Sequence, residues 1–158
     1  MSDYRIRPMN EADLPRVARV EAAAHVHPWN DRLLADCLRV GYIATVCEFV
    51  PAGEVIGHAI VSVVADECHI LNLCIDPAHQ GSGQGARLLS HMLEACRQKG
   101  AERALLEVRA SNRPAISLYE RFGFSRIGER PGYYPTPGGD REDALVLEKA
   151  LGVQRTFE

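Results

Sequence analysis

Apolar positions recur along this chain with two different periods. They return every three or four residues over 14–24 and over 33–38, which predicts two amphipathic helices in the first third of the chain. Asn10 and Asn30 precede these segments, and asparagine is a preferred N-cap because its side chain accepts from a free helical N–H. We therefore expect helices to begin directly after both asparagines.

Short apolar runs bounded by turn residues predict strands in the rest of the chain. They cover residues 4–8, 42–49, 55–65, a run ending at 75, 104–108, 124–129 and 144–148. Two further helices are expected, one opened by the glycines before residue 86 and ended near Gly100, the other over 113–121. This order implies a mixed sheet, antiparallel in its first half and parallel across the central helix.

Composition places the chain among globular α/β proteins. Its 158 residues suit one domain over 1–158, with six to seven strands and about four helices on both faces of the sheet. A net charge of −3 argues against a broad basic surface for nucleic acid. No apolar run reaches the roughly 20 residues that span a bilayer, and the first residues lack a signal-peptide core. We expect a cytoplasmic protein without nucleic-acid or membrane partners.

The five cysteines are scattered and form no C-x-x-C pair, so neither a metal site nor a thioredoxin-type site is expected. They are Cys37, Cys47, Cys68, Cys74 and Cys96. We expect them to be reduced and structural. Cys74 is the tempting nucleophile, but an apolar run supplies neither an activating base nor positive charge. His25, His27, His69 and His79 fall in no triad or metal spacing and are expected to be structural or exposed.

The most informative segment is Gln80-Gly81-Ser82-Gly83-Gln84-Gly85-Ala86, between a strand-like run and an apolar-faced helix. A glycine-rich turn at a helix start presents bare backbone N–H groups and the positive end of the helix dipole. Because glycine has no side chain, a phosphate can approach this backbone closely. The segment therefore predicts a phosphorylated cofactor.

Three phosphate-binding patterns compete for this segment. A Walker A loop requires a lysine followed by serine or threonine after the last glycine, and none is present. Gly81-x-Gly83-x-x-Ala86 fits the dinucleotide fingerprint, with Glu107 placed where a ribose-binding acid is expected. However, residues 76–80 separate the strand from the glycines, and further parallel units are missing. The third pattern, Q/R-x-x-G-x-G/A, fits residues 80–85 best.

That third pattern resembles the pyrophosphate loop of the GNAT superfamily of acetyl-CoA-dependent N-acetyltransferases. Three other segments support the resemblance: the strand exit Cys74-Ile75-Asp76-Pro77, residues 106–112 and residues 115–124. The match covers nearly the whole chain. It implies a GNAT-type domain with acetyl-CoA as cosubstrate, no metal, and direct attack of an amine on the thioester.

The resemblance implies a cofactor site made of a strand end, the glycine segment and two downstream side chains. These residues are Leu73, Cys74, Ile75, Gln80, Gly81, Ser82, Gly83, Gln84, Gly85, Ala86, Asn112 and Tyr119. It makes Glu107 the general base, acting through water, and Tyr119 the acid that protonates the thiolate. The alternatives are an exposed or salt-bridged Glu107 with Arg109 on the same face of its strand, a packed Tyr119 with a satisfied hydroxyl, and ordinary N-capping by Asn112.

Within the superfamily the chain resembles the RimI family of ribosomal-protein N-terminal alanine acetyltransferases. The segments that carry this are Pro28-Trp29-Asn30, residues 133–136 and residues 141–144. The resemblance implies a protein N-terminus as acceptor, bound by Trp29, Tyr133 and Tyr134. The 137–140 turn, at the expected acceptor site, is about one residue longer than usual, a departure that bears on which peptide is accepted. Gly81-Ser82 replaces a more polar or basic pair in the phosphate loop, which should alter cofactor affinity only modestly because backbone groups make most of that contact.

Two other functions stay open from the sequence. One is a GNAT enzyme that acetylates lysine side chains or a small-molecule amine. The other is a non-catalytic CoA-binding module, which the presence of both Glu107 and Tyr119 disfavours. The acid–base chemistry favours an α-amino acceptor, because its pKa near 7.7–8.0 leaves far more neutral amine at pH 7 than a lysine near 10.4.

Overall fold

The computed structural model describes residues 2–25 and 27–152, which form four α-helices and seven strands. The helices are α1 (Leu14–Ala24), α2 (Asp31–Arg39), α3 (Gln84–Gln98) and α4 (Arg113–Arg121). The strands are β1 (Tyr4–Pro8), β2 (Ile43–Phe49), β3 (Glu54–Val64), β4 (Glu67–Ile75), β5 (Arg103–Arg109), β6 (Ser125–Pro135) and β7 (Arg141–Ala150). They are hydrogen-bonded in the order β1-β2-β3-β4-β5-β7-β6. The prediction of a mixed α/β fold is confirmed. Among the described helices, none combines the length and apolar character needed to cross a bilayer.

The chain forms two compact units, Met1–Ser62 with Leu71–Ala95, and Val63–Ile70 with Cys96–Glu158. A single domain over residues 1–158 stays a prediction. In the first unit β1, β2 and β3 pair antiparallel. One buried apolar cluster packs α1 and α2 onto these strands. Its members are Met9, Val17, Leu34, Cys37, Ala44, Val46, Val55 and Ile60.

Local caps define the helix starts of the first unit as the sequence predicts. Asn10 accepts from Ala12 N–H at 3.0 Å, and Asp13 accepts from Asn10 N–H at 2.9 Å, which closes a capping box around a short 3-10 turn before α1. Asn30 accepts from Leu33 N–H at 2.8 Å and opens α2. Arg7 holds Asp13 through two hydrogen bonds of 2.8 and 2.9 Å, so the turn is tied to β1.

In the second unit, residues 67–70 of β4 pair parallel to residues 103–106 of β5. Strand β5 pairs antiparallel with β7, and β7 pairs antiparallel with β6. The predicted parallel step is therefore confirmed at β4 and β5. It places Glu107 near the carboxyl end of β5, opposite Val146 of β7.

The sequence prediction is wrong about the segment between the last two strands. It ends one strand at 129 and starts the next at 144, whereas β6 continues to Pro135 and β7 begins at Arg141. The register shifts between Arg130 and Tyr134, which accommodates a proline and a left-handed glycine within the strand. Gly132, at φ +59°, donates its N–H to Asp143 Oδ1 at 2.9 Å. The irregularity keeps Tyr133 and Tyr134 on a strand rather than in a loop.

A second irregularity in the first unit brings β3 against the end of β4. Cys47 pairs with Gly57 and Glu48 with Val55, so Ile56 is the extra residue. Its carbonyl accepts from Asp76 N–H at 2.7 Å, just after β4 ends. A Cβ on Gly57 would lie 2.5 Å from Ile75 Cδ1 and 3.0 Å from the Cys74 carbonyl oxygen. The end of β4 therefore requires glycine at position 57.

We expect Gly57→Ala to lower the free energy of unfolding by about 1–3 kcal/mol, because the new methyl group overpacks this contact. Urea denaturation followed by circular dichroism measures the change. Gly128→Ala is the matched control, since a Cβ at Gly128 would meet nothing within 4 Å. Equal stabilities of the two variants would contradict the inferred close contact.

Candidate active site

The glycine segment of the first unit follows a short, tightly bonded turn. Asp76 accepts from Ala78 N–H at 2.9 Å and begins a 3-10 turn over Pro77–His79. Gln80 Nε2 reaches back to the Ile75 carbonyl at 3.1 Å, and Ser82 Oγ donates to the His79 carbonyl at 2.6 Å. These two side chains stabilise the turn, so their contacts are with the protein backbone.

Gly81 and Gly83 both adopt the left-handed region, at φ +82° and +81°, and a Cβ at either position would meet nothing within 4 Å. Glycine is needed here for backbone conformation rather than for space inside the protein. Helix α3 then begins at Gln84, and Arg87 N–H donates to the Gly83 carbonyl at 3.1 Å. Because the first N–H groups of a helix have no partner within it, the residues before Arg87 have the arrangement that favours an anion at a helix start.

Two side chains of this helix start contact other parts of the protein. Gln84 is buried, and its Oε1 accepts from Arg87 Nη1 at 3.3 Å. The exposed Arg87 also donates from Nη1 to the Tyr4 carbonyl at 3.0 Å, which directs this guanidinium toward β1. The glycine segment therefore offers its backbone, not the Gln84 side chain, to an anion.

The end of β4 carries a buried polar network that sequence reasoning missed. Glu21 of α1 is 1% exposed and His58 of β3 is fully buried. Glu21 Oε1 contacts His58 Nε2 at 3.0 Å and accepts from Asn72 Nδ2 at 2.7 Å. Its Oε2 accepts from Trp29 N–H at 3.0 Å. Burial alone would raise the pKa of Glu21, but the hydrogen bonds from His58 and Trp29 N–H outweigh it, so this pKa lies below its ordinary value.

Cys74 belongs to the same network, so the expectation of purely apolar surroundings is wrong. Its sulfur lies 3.3 Å from His58 Nε2 and 3.7 Å from Nδ1. Two such similar distances place the sulfur over the imidazole rather than in line with either nitrogen. Burial and the Glu21 charge raise the pKa of the Cys74 thiol well above its ordinary value. A protonated thiol in this position supports the structural role expected for Cys74.

One group among the described residues brings metal-ligand atoms together: Glu21, His25 and Cys74, with ligand atoms within 4.8 Å of one another. Glu21 already accepts hydrogen bonds on both oxygens, and the thiol holds its proton. We therefore interpret the group as part of the hydrogen-bonded network rather than as an ion site.

In the second unit, Glu107 lies in a cluster of charged and aromatic side chains. Its side chain is 28% exposed, and Oε1 lies 3.1 Å from Arg130 Nε of β6. The charge of the same carboxylate is the main cause that raises the pKa of the nearby Tyr133. The partner of Glu107 is thus Arg130, not Arg109 as the salt-bridge alternative supposed.

Arg109 instead anchors the segment that leads into α4. Its guanidinium lies 4.5 Å from the Tyr134 ring centroid and donates to the Pro135 carbonyl at 2.8 Å and to Glu142 Oε1 at 3.1 Å. Glu142 Oε2 accepts from Ser111 N–H at 3.2 Å. Burial, followed by the Glu107 charge, raises the pKa of Tyr134 to about 12, so its phenol stays protonated.

The remaining predicted site residues have clear structural settings. Asn112 N-caps α4 by accepting from Ala115 N–H at 3.3 Å, as its alternative role supposed. Tyr119 lies on α4, is 7% exposed and packs edge-on against Phe124 at 5.6 Å between ring centroids. Trp29 is half-buried and packs against the apolar cluster of the first unit. Their functional roles stay predictions.

Known proteins match this chain over nearly its whole length. A sequence model of the acetyltransferase (GNAT) family matches residues 10–124. The ribosomal protein bS18-alanine N-acetyltransferase of Escherichia coli K12 is 37% identical over 142 residues, which are 90% of this chain and 94% of that protein. The crystal structure of the Escherichia coli ribosomal-protein-S18-alanine N-acetyltransferase superposes with a TM-score of 0.87 at 34% identity, covering 98% of this chain and 99% of the other. The structure of yncA from Salmonella typhimurium, solved with its cofactor acetyl-CoA, gives a TM-score of 0.80 at 21% identity over 99% of both chains.

The buried network predicts a pH-dependent contribution to stability. We expect Glu21→Gln to lower the free energy of unfolding by about 3 kcal/mol at pH 7, because it removes the charge that buried donors surround. The folded-state pKa of Glu21 is lowered, so the contribution is complete above its ordinary value of about 4.5 and is lost as the pH falls through the folded value. The difference in the free energy of unfolding between variant and wild type should therefore become smaller in acid.

Denaturant titrations between pH 3.5 and 7 measure this difference. Glu11→Gln, at an exposed glutamate, is the control and should change stability little at any pH. If the stability difference between Glu21→Gln and the wild type stayed constant with pH, the carboxylate charge would not be the cause of that difference.

Proposed function

Because the chain belongs to the acetyltransferase (GNAT) family, we propose that it transfers acetyl from acetyl-CoA to the N-terminal amine of a protein. The first acceptor to test is the N-terminal alanine of ribosomal protein bS18, a substrate that would place the enzyme in the cytoplasm. The observation that carries this proposal is the 37% identity to the Escherichia coli bS18-alanine N-acetyltransferase across 90% of the chain.

The cofactor part of the proposal rests on the helix start at α3. The backbone from Gly81 to Ala86 would bind the diphosphate of acetyl-CoA, since the left-handed conformation of Gly81 and Gly83 lets this backbone present its N–H groups to an anion. The backbone of residues 73–75 would pair with the pantetheine arm like an added strand and would donate to the oxyanion. Asn112 and Tyr119 complete the proposed cofactor contacts, and no metal takes part.

The chemical step needs a base and an acid. Glu107 would take a proton from the acceptor ammonium through water, after which the nitrogen forms a bond to the thioester carbon. The carbon–sulfur bond then breaks, and Tyr119 would protonate the departing thiolate. The nitrogen would lose its second proton as the amide forms, and this proton replaces the one that Tyr119 gave up. Tyr119 suits this role because a phenol is protonated at neutral pH. An α-amine needs less help from its base than lysine does, which supports a protein N-terminus as acceptor.

Trp29, Tyr133 and Tyr134 are the proposed acceptor contacts. Tyr133 remains 43% exposed next to the Glu107 carboxylate, a position that suits contact with an incoming amine. Trp29 is held through its own backbone N–H by Glu21.

The direct test is acetyl transfer to matched peptides. We expect CoA release with a peptide that begins with Ala, weaker release with Ser or Met, and little with an N-blocked peptide that contains Lys. Mass spectrometry then places the acetyl group on the α-nitrogen. Acetate found on lysine, or only on a small-molecule amine, would overturn the proposed acceptor, and no calorimetric heat with acetyl-CoA would overturn the proposed cofactor.

Removing the proposed acid should slow turnover without weakening cofactor binding. We expect Tyr119→Phe to lower kcat about 100-fold, since general-acid catalysis is typically worth 10²–10⁴-fold, and to leave the acetyl-CoA Kd within about two-fold. Tyr42→Phe, at an exposed tyrosine, is the control. Wild-type kcat in Tyr119→Phe would remove this residue as the acid.

Disturbing the start of α3 should instead weaken cofactor binding. We expect Gly83→Ala to weaken acetyl-CoA binding about 5- to 30-fold, because a left-handed conformation costs an alanine about 1–2 kcal/mol and the N–H groups turn away. Gly53→Ala is the matched control: Gly53 is also left-handed, at φ +61°, and a Cβ there would likewise meet nothing within 4 Å. Equal acetyl-CoA affinity in the two variants, measured by calorimetry, would contradict the proposed diphosphate site.

A further inference from the structure

Two side chains of β6 lie near Glu107, the proposed base. Arg130 Nε lies 3.1 Å from Glu107 Oε1, and the Glu107 charge is the main cause that raises the pKa of Tyr133. Arg130 and Tyr133 are in contact with each other, since Arg130 Cζ lies 5.3 Å from the Tyr133 ring centroid. We call Glu107, Arg130 and Tyr133 the Glu107 triangle.

Arg130 and Tyr133 both belong to the irregular part of β6. The register between β6 and β7 shifts between Arg130 and Tyr134, and Tyr133 lies within this interval. Tyr133 in turn packs edge-on against Tyr134, with 4.9 Å between ring centroids. The irregular strand thus supplies both side chains near one carboxylate on β5.

The ion pair in the triangle is open to exchange. The Arg130 side chain is 58% exposed and that of Glu107 is 28% exposed. Ion pairs with such exposure contribute only about 0–1 kcal/mol, because water solvates each partner nearly as well. Another cation can therefore replace Arg130 at small cost, and an acceptor amine arrives as a cation.

We propose that Arg130 is a positioning residue: it holds the Glu107 carboxylate in place in the acceptor-free enzyme. It yields its position when the acceptor's ammonium group arrives with the water that links it to Glu107. The proposal rests on the proposed function, in which Glu107 is the base.

This role has a kinetic signature that a merely structural ion pair lacks. Without Arg130 the acceptor displaces no cation, so its KM falls. At saturating acceptor Arg130 has left Glu107 in the wild type as well, so kcat does not change. A residue that simply binds the acceptor would instead raise KM when removed.

Steady-state kinetics of three variants test the proposal with the peptide that the wild type acetylates best. For Arg130→Gln we expect the acceptor KM to fall about two- to three-fold, with an unchanged kcat. Arg130→Lys keeps the charge that the acceptor must displace, so its KM stays near wild type. Arg126→Gln is the control, since Arg126 also lies on β6 and pairs with an exposed carboxylate, Glu129, at 2.6 Å.

A second measurement, which needs no acetylation, distinguishes failure of this inference from failure of the proposed function. The ¹³C resonance of the Glu107 side-chain carboxyl, assigned by its loss in Glu107→Gln, should shift in Arg130→Gln and stay in place in Arg126→Gln. If the wild type acetylates no amine, the proposed function fails, and this resonance still decides whether Arg130 holds Glu107.

Other outcomes overturn the inference alone. These are peptide acetylation in which the acceptor KM of Arg130→Gln equals or exceeds that of the wild type, a lowered kcat of Arg130→Gln, or an unmoved Glu107 resonance. A shifted resonance without any kinetic change also overturns it, because the contact would then exist without positioning the base.

Discussion

A single buried carboxylate constrains much of the first unit. Glu21 is almost fully buried, and an ionised group there is stable only while several donors surround it. Its donors come from different parts of the chain: the loop before α2 through Trp29 N–H, β3 through His58 and β4 through Asn72. The need to satisfy one charge therefore fixes the end of β4 and the backbone of Trp29, both of which we assign to ligand binding.

The proposed site divides its tasks between backbone and side chains. At the start of α3 the side chains of Gln80, Ser82 and Gln84 bond to the protein itself, which leaves main-chain N–H groups for the cofactor. In such a site, Gly81-Ser82 in place of a more polar or basic pair should alter cofactor affinity only modestly. Around Glu107 the reverse holds, since charged and phenolic side chains provide the contacts.

Features that depend on neighbouring residues were predictable from the sequence. The N-cap roles of Asn10 and Asn30 and the bounds of α4 follow from local capping patterns and proline placement. Features that depend on distant pairing were not. Glu21 meets His58 across 37 positions, and no local pattern marks such a pair. The extension of β6 through Pro131 likewise depends on β7, which overrides the turn-forming tendency of its own residues.

The contacts of Arg87 connect the beginning of the chain to α3. The guanidinium of this helix residue reaches the Tyr4 carbonyl at 3.0 Å and the Ser2 hydroxyl at 3.5 Å. A purification tag fused ahead of Ser2 would thus start next to the first turn of the helix that we assign to acetyl-CoA. Affinity measurements on this enzyme are better made with the tag cleaved or attached at the other terminus.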